Sequence, residues 1–150
     1  MARVLVIGDT HAPAMRDDYI DFLNDIYKAW RCNAVVHIGD VVDWGAISYH
    51  EKEPEADSPI AEYRTAKDQV SALYKAFPDA VIMTGNHDSL PKRKAVTIGI
   101  PTQLIRNYSD VWQTPRWDWR PRFSTYELDG VLYAHGDRGK AGQGAALKNA

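Results

Sequence analysis

The sequence has a single cysteine and no long apolar run. Cys32 has no second cysteine with which to form a disulfide. It lies among apolar neighbours in a helical pattern, which predicts a small core residue rather than a nucleophile. No apolar stretch approaches the roughly 20 residues that span a bilayer, and the run at residues 3–7 is too short for a secretory signal. We therefore expect a cytoplasmic protein.

An excess of charge of one sign is also missing. The 20 acidic and 18 basic residues give a net charge of −2, which does not indicate bulk attraction to nucleic acid or to a membrane. Apolar residues make up 45% of the sequence, as in ordinary globular proteins. The length of 150 residues suits one domain with a sizeable core.

Strand and helix patterns alternate in the first half of the chain. Residues 3–8 and 34–38 are continuous apolar runs, typical of strands buried on both faces. Between them, residues 17–30 carry an apolar helical face, so the three segments form a βαβ unit with parallel strands. A second helix is predicted to begin with Ser58 as its cap and Pro59 at its first position. The pattern predicts an α/β fold with a mostly parallel sheet.

The second half is less regular. A strand is predicted at residues 80–84, a short basic helix at 91–96 and a further helix at 101–112. Residues 112–122 are rich in Trp, Pro and Arg and show no clear period. Two β-rich runs flank Asp129-Gly130, which is a strong signal for a type I′ hairpin turn.

Polar side chains follow four of the predicted strands, each at the point where the strand ends. In open α/β sheets, sites form beyond the carboxyl ends of the strands, so these clusters should converge. Asp, Asn and His together suit Mn, Fe or Zn better than Ca²⁺. The ligands are too many for one tetrahedral ion, whereas two ions bridged by one carboxylate would use them all. The four clusters are Asp9 with His11, Asp40 with Asp43, Asn86 with His87, and His135.

These motifs resemble the calcineurin-like metallophosphoesterase family. The resemblance rests on Asp9-x-His11, Gly39-Asp40-x-x-Asp43, Gly85-Asn86-His87-Asp88 and His135, in this order, and it spans residues 4–137. It implies mixed sheets with βαβ units flanked by helices, in a four-layer α/β/β/α arrangement. Residues 123–144 also resemble phage-encoded members of the family, which would place the protein in the host cytoplasm.

The resemblance also implies a role for each site residue. Asp9 and His11 would hold the first metal ion, Asp40 would bridge both ions, and Asn86 and His135 would hold the second. Mn²⁺ is the favoured ion. His87 would be the general acid that protonates the leaving oxygen, since imidazole titrates near neutral pH. Asp43 would orient His87, and Gly39 and Gly85 would allow sharp turns at the strand ends.

The sequence departs from the family pattern at two places. Phosphoprotein phosphatases of the family usually carry Arg where this chain has Trp44, which favours a phosphodiesterase or nuclease over a protein phosphatase. The family's GHxH motif, which gives one histidine to each metal ion, does not follow His135. Residues 145–150 are predicted to begin a helix, so we expect residues 1–150 to be a single metallophosphoesterase domain that is incomplete at its C-terminus.

Several other polar residues have simpler interpretations. His37 is predicted to be a hydrogen-bonded core residue, Asp88 to be structural and His50 to lie on the surface. The basic residues 92–94 favour a solvated helix face, although positive charge near a phosphate site would also be useful. The Trp and Arg side chains of residues 112–122 suit base stacking and core packing equally well.

The sequence therefore predicts a dimetal phosphoester hydrolase that prefers phosphodiesters. In it, a bridging hydroxide attacks phosphorus and His87 acts as the acid. Possible substrates include nucleic acids and nucleotides. One alternative is a nucleic-acid- or protein-binding module that retained the fold and lost the reaction. Another is a metal-stabilised fragment whose site another chain completes.

Overall fold

A four-stranded parallel sheet forms the centre of the molecule. The computed structural model describes residues 1–52 and 54–137, so the helix predicted at 145–150 lies outside the described residues. The strands are β1 (Val4–Ile7), β2 (Ala34–His37), β3 (Val81–Met83) and β4 (Asp118–Arg120). They pair in that order, each parallel to its neighbour. The prediction of an α/β fold with a mostly parallel sheet is confirmed.

Helices connect these strands. The described residues include the α-helices α1 (Tyr19–Ala29), α2 (Pro59–Ala76), α3 (Leu90–Thr97) and α4 (Tyr108–Trp112). Helix α2 begins as predicted, because the Ser58 hydroxyl accepts a hydrogen bond from the Ala61 N–H at 3.3 Å and Pro59 occupies the first turn. No helix in the described part of the chain has both the length and the apolar composition needed to cross a bilayer.

The core lies between the sheet and the helices α1 and α2. Leu5 and Ile7 of β1 pack there with Leu23 of α1 and Leu73 of α2, all at most 5% exposed. Val6 points to the other face of the sheet and is 45% exposed. The expectation that residues 3–8 are buried on both faces is therefore wrong for β1, an edge strand that the described residues cover on one face only.

The segment after α3 differs from the sequence prediction. A single helix over residues 101–112 is not formed: a 3₁₀ turn at Thr102–Leu104 is followed by extended backbone at Ile105 and Asn107, and α4 begins only at Tyr108. The strand β4 was missed, because three residues beginning with an exposed Asp118 offer no alternating or apolar pattern.

The predicted hairpin is present. Strands β5 (Tyr126–Leu128) and β6 (Val131–Tyr133) pair in antiparallel fashion and form a separate two-stranded sheet. Asp129 and Gly130 have φ angles of 52° and 80°, as a type I′ turn requires at both central residues. His135 follows β6, so the hairpin delivers the last of the predicted site residues.

Candidate metal centre

The loops after β1 and β2 are interlocked by backbone hydrogen bonds. His11 N–H donates to the Asp40 carbonyl at 3.0 Å, and Ala12 N–H donates to the Val41 carbonyl at 2.9 Å. Asp43 N–H returns a bond to the Ala12 carbonyl at 3.0 Å. His11 and Asp40 have positive φ angles of 44° and 51°, a region that non-glycine residues adopt at a cost. The backbone thus fixes both side chains at the same edge of the sheet.

The side chain of Asp40 lies at the centre of the predicted site. One of its oxygens, Oδ2, is 3.8 Å from His11 Nε2 and 3.3 Å from His135 Nε2. Ligand atoms of Asp9, His11 and Asp40 all lie within 4.8 Å of one another. On the other side, Asn86 Oδ1 is 2.9 Å from His135 Nε2. All five predicted ligands therefore converge, in two groups that share Asp40.

The His135 side of this arrangement favours positive charge. Burial opposes protonation of His135, but the hydrogen bond and charge of Asp40, the Ile38 carbonyl and the charge of Asp137 together outweigh burial and raise the pKa of His135 to about 9. Burial likewise opposes the charged form of Asp40, and the hydrogen bonds from His135 and from the His87 N–H nevertheless lower its pKa. His135 Nδ1 donates to the Ile38 carbonyl at 2.9 Å, which aims Nε2 at Asp40 and Asn86. This donor set fits a divalent cation.

Asp43 contacts two histidines rather than the one predicted. His11 Nδ1 is 2.7 Å from Asp43 Oδ1, which leaves His11 Nε2 facing Asp40. His87 Nδ1 is 2.6 Å from the Asp43 carbonyl oxygen and 3.3 Å from Asp43 Oδ1. The two rings meet edge to face at 4.7 Å. The three Nδ1 and Oδ1 atoms are also close enough to hold a metal ion, but hydrogen bonds already account for their spacing.

The two glycine turns at the site have different physical requirements. Gly39 has a φ of 109°, as expected for a sharp turn. Gly85 does not have a positive φ angle. It must lack a side chain for another reason: Asp40 approaches it closely, and a Cβ there would clash with Asp40.

Asp88 is structural, as predicted. Its carboxylate accepts from Val42 N–H at 3.2 Å and from Gly85 N–H at 2.9 Å, and burial raises its pKa to about 7.

Two residues support the site from beneath: His37, a hydrogen-bonded core residue as predicted, and Glu62, which sequence reasoning missed. His37, predicted to be a core residue, accepts from Gly39 N–H through Nδ1 and donates through Nε2 to the hydroxyl of Thr10, each at 3.1 Å. Burial lowers the pKa of His37 to about 3, so its ring is neutral. Glu62, 5% exposed, accepts from Gly45 N–H at 2.7 Å and Ala46 N–H at 2.9 Å. Nothing in the local sequence separates Glu62 from an ordinary first-turn acid.

Within the Trp- and Arg-rich residues 112–122, Trp117 and Arg116 contact other parts of the chain. Trp117 is 4% exposed and donates through Nε1 to the Phe77 carbonyl at 2.8 Å. Arg116 forms an ion pair with Asp79. The structure therefore gives no support to base stacking by Trp117. His50 lies on the surface, as predicted.

Comparison with known proteins agrees with this geometry. The family model of the calcineurin-like phosphoesterases matches residues 2–144, nearly the whole chain. None of the curated proteins matches the chain. The matched segment contains every residue of the candidate metal centre, and the family acts on phosphoesters with divalent metal ions. The chain belongs to the calcineurin-like phosphoesterase family.

Proposed function

We propose that the chain hydrolyses phosphodiesters with two divalent metal ions, Mn²⁺ being favoured. Asp9 and His11 would hold one ion, Asn86 and His135 the other, and Asp40 both. The position of Asp40 Oδ2 carries this proposal, since one oxygen lies within 4 Å of an imidazole nitrogen on either side. When bound, such a pair of ions activates water and offsets the charge of the phosphoryl oxygens.

His87 is left free to act as the general acid. Its Nδ1 donates to the Asp43 carbonyl at 2.6 Å, so Nε2 is the nitrogen that can carry a proton for the leaving oxygen. The Asp43 carboxylate, 3.3 Å from Nδ1, offsets the positive charge of the protonated ring. Asp43 itself acts as a positioning residue for both His87 and His11.

The surroundings of the site favour a diester over a monoester. Within residues 1–52 and 54–137, the ion pairs of Asp9, Asp40 and Asp43 involve histidines and neither Lys nor Arg. The residue after Asp43 is Trp44, which adds no positive charge. A phosphomonoester carries an additional negative charge that a site without Lys or Arg stabilises less well.

A leaving-group series with His87→Gln tests the role of the acid. We expect Mn²⁺-dependent hydrolysis of aryl phosphodiesters by the native chain, faster than that of the matching monoesters. The variant should lose about 10²- to 10⁴-fold in kcat for diesters of weakly acidic phenols, because these leaving groups need a proton. Bis(p-nitrophenyl) phosphate should lose much less, since p-nitrophenolate leaves unprotonated.

The matched control is His50→Gln, the same change at a surface histidine. It should leave every rate unchanged. Bound manganese, measured by elemental analysis, should be the same in the native chain and both variants. An equal loss for all leaving groups, or a loss of manganese in His87→Gln, would contradict the assignment. An absence of hydrolysis of any diester with Mn²⁺, Fe²⁺ or Zn²⁺ would contradict the proposed function.

A further inference from the structure

An aromatic cavity has Trp44 in its wall, the residue after Asp43. It has a volume of about 420 Å³ and contains the rings of Trp44, Tyr63, Tyr108 and Trp112 in its wall. Trp44 directly follows Asp43, the residue whose carbonyl holds His87. Small-molecule sites are commonly cavities of this size, mostly apolar, with a few polar groups that fix orientation. The chain thus passes from the residue that contacts His87 directly into the wall of the cavity.

The ring of Trp44 is held in place by its neighbours. It lies nearly parallel to Tyr63, with centroids 6.3 Å apart and an interplanar angle of 11°. Trp112 packs against Trp44 at 5.6 Å. Trp44 has a φ of 55°, in the left-handed region, and the two N–H groups after it are bound by the buried carboxylate of Glu62. A strained and firmly supported aromatic residue is typical of a functional position.

Positive charge lies along one side of the cavity. Lys92 and Arg106 contribute to its wall, and Lys92 Nζ lies 4.2 Å from the centre of the Tyr108 ring. Lys92 and Tyr108 also line a second cavity of about 560 Å³, to which Arg93 and Arg122 contribute. An aromatic wall that adjoins basic side chains suits a planar ring attached to phosphate.

We propose that the aromatic cavity binds the base of a nucleoside phosphoester. The ring would stack in the space beside Trp44 and Tyr63, and the phosphate would extend towards His87. This assignment rests on the proposed function for the phosphate alone. The recognition of the base is a property of the cavity and requires neither metal nor turnover.

Binding of two phosphates that differ only in the base tests the proposal. Adenosine 5′-monophosphate and ribose 5-phosphate are titrated by calorimetry into the chain in the presence of EDTA. The nucleotide should bind about tenfold to hundredfold more tightly, the range expected from one stacked base. Equal affinities would overturn the proposal, whatever the chain hydrolyses. If the chain binds the nucleotide more tightly than ribose 5-phosphate but hydrolyses no diester, the assignment of the cavity stands and the proposed phosphodiester hydrolysis is contradicted.

A pair of matched substitutions locates the binding. Ile60 lines the cavity and is 55% exposed, so Ile60→Trp fills the space without removing a core side chain. Ile98, 75% exposed, lines none of the cavities described here, and Ile98→Trp is the control. Ile60→Trp should abolish the preference for the nucleotide, and Ile98→Trp should retain it. A preference that survives Ile60→Trp would place the base elsewhere and overturn the assignment.

Discussion

The two sides of Asp40 are constructed differently. On the His11 side, the loops after β1 and β2 share three backbone hydrogen bonds, and Asp43 binds His11 and His87 together. On the other side, His135 comes from a hairpin that forms a sheet of its own. Its ring is held by the Ile38 carbonyl and by the side chains of Asp40 and Asn86.

This difference shows which contacts position the residues on each side of Asp40. The His11 side is organised by backbone that neighbouring parallel strands bring together, so it forms with the central sheet. The position of His135 depends on docking the hairpin against that sheet, through contacts between residues about 50 and 97 positions apart in sequence. Substitutions should therefore separate the two sides, and Asp40 alone should affect both.

Asp40→Asn should have the largest effect. Asparagine keeps an oxygen that can accept from the His87 N–H, at 2.8 Å in the native chain, but it lacks the negative charge that two cations would share. We expect a loss of about 10³-fold or more in kcat for a phosphodiester, corresponding to roughly 4 kcal/mol of transition-state stabilisation. Manganese content should fall on both sides.

The control for this change is Asp68→Asn on the exposed face of α2. It should leave rate and metal content unchanged. Elemental analysis that finds one ion lost and one retained in Asp40→Asn would show that Asp40 serves a single side.

The sequence predicted the first side better than the second, for a physical reason. Asp9, His11, Asp40 and Asp43 follow strands whose apolar runs are visible, and parallel strands must end at one edge of a sheet. Their convergence with Asn86 and His135 was foreseen. The hairpin that carries His135 was recognised from its Asp129-Gly130 turn, but the short strand β4 was not foreseen, because a three-residue strand leaves almost no periodic pattern.

The hydrogen bonds that support the site could also not be predicted from the local sequence. Glu62 binds the N–H groups of residues 16 and 17 positions away, and Thr10 binds His37, 27 positions away. Such partners are set by tertiary packing. Trp117 shows the same limit, since its buried bond to the Phe77 carbonyl decides between packing and base stacking.

Asp43→Asn should have a smaller effect than Asp40→Asn, and it should separate the His11 side of Asp40 from the His135 side. It removes the charge that holds His11 and His87, and it leaves the contacts of His135 untouched. We expect a 10- to 100-fold loss in activity, as is usual for residues that orient metal ligands. In a titration with Mn²⁺, one of two binding steps should weaken and the other should keep its affinity. Equal weakening of both steps would show that the two sides are not independent.

His37→Asn should have the smallest effect of the three substitutions, and its distinguishing result is the pH dependence of the free energy of unfolding. Burial lowers the pKa of His37 to about 3, below the value of about 6.5 in the unfolded chain. Between these values only the unfolded chain binds this proton, so the free energy of unfolding falls as the pH falls. This residue changes the free energy of unfolding by at most about 1.4 kcal/mol for each pH unit. Above pH 6.5 both states are neutral and the slope vanishes.

His37 lies directly beneath the His11 side, between Thr10 and Gly39. Comparing how the free energy of unfolding depends on pH in the variant and in the native chain isolates the contribution of this residue. Urea unfolding in EDTA from pH 7 to pH 4 should show a shallower slope in His37→Asn than in the native chain. The variant should also be about 1–3 kcal/mol less stable at pH 7, since the Thr10 hydroxyl loses a partner. His50→Asn, at a surface histidine, should leave the slope unchanged. An unaltered slope in His37→Asn would mean that His37 accepts a proton in the folded chain, and the support beneath His11 would then have to tolerate a buried charge.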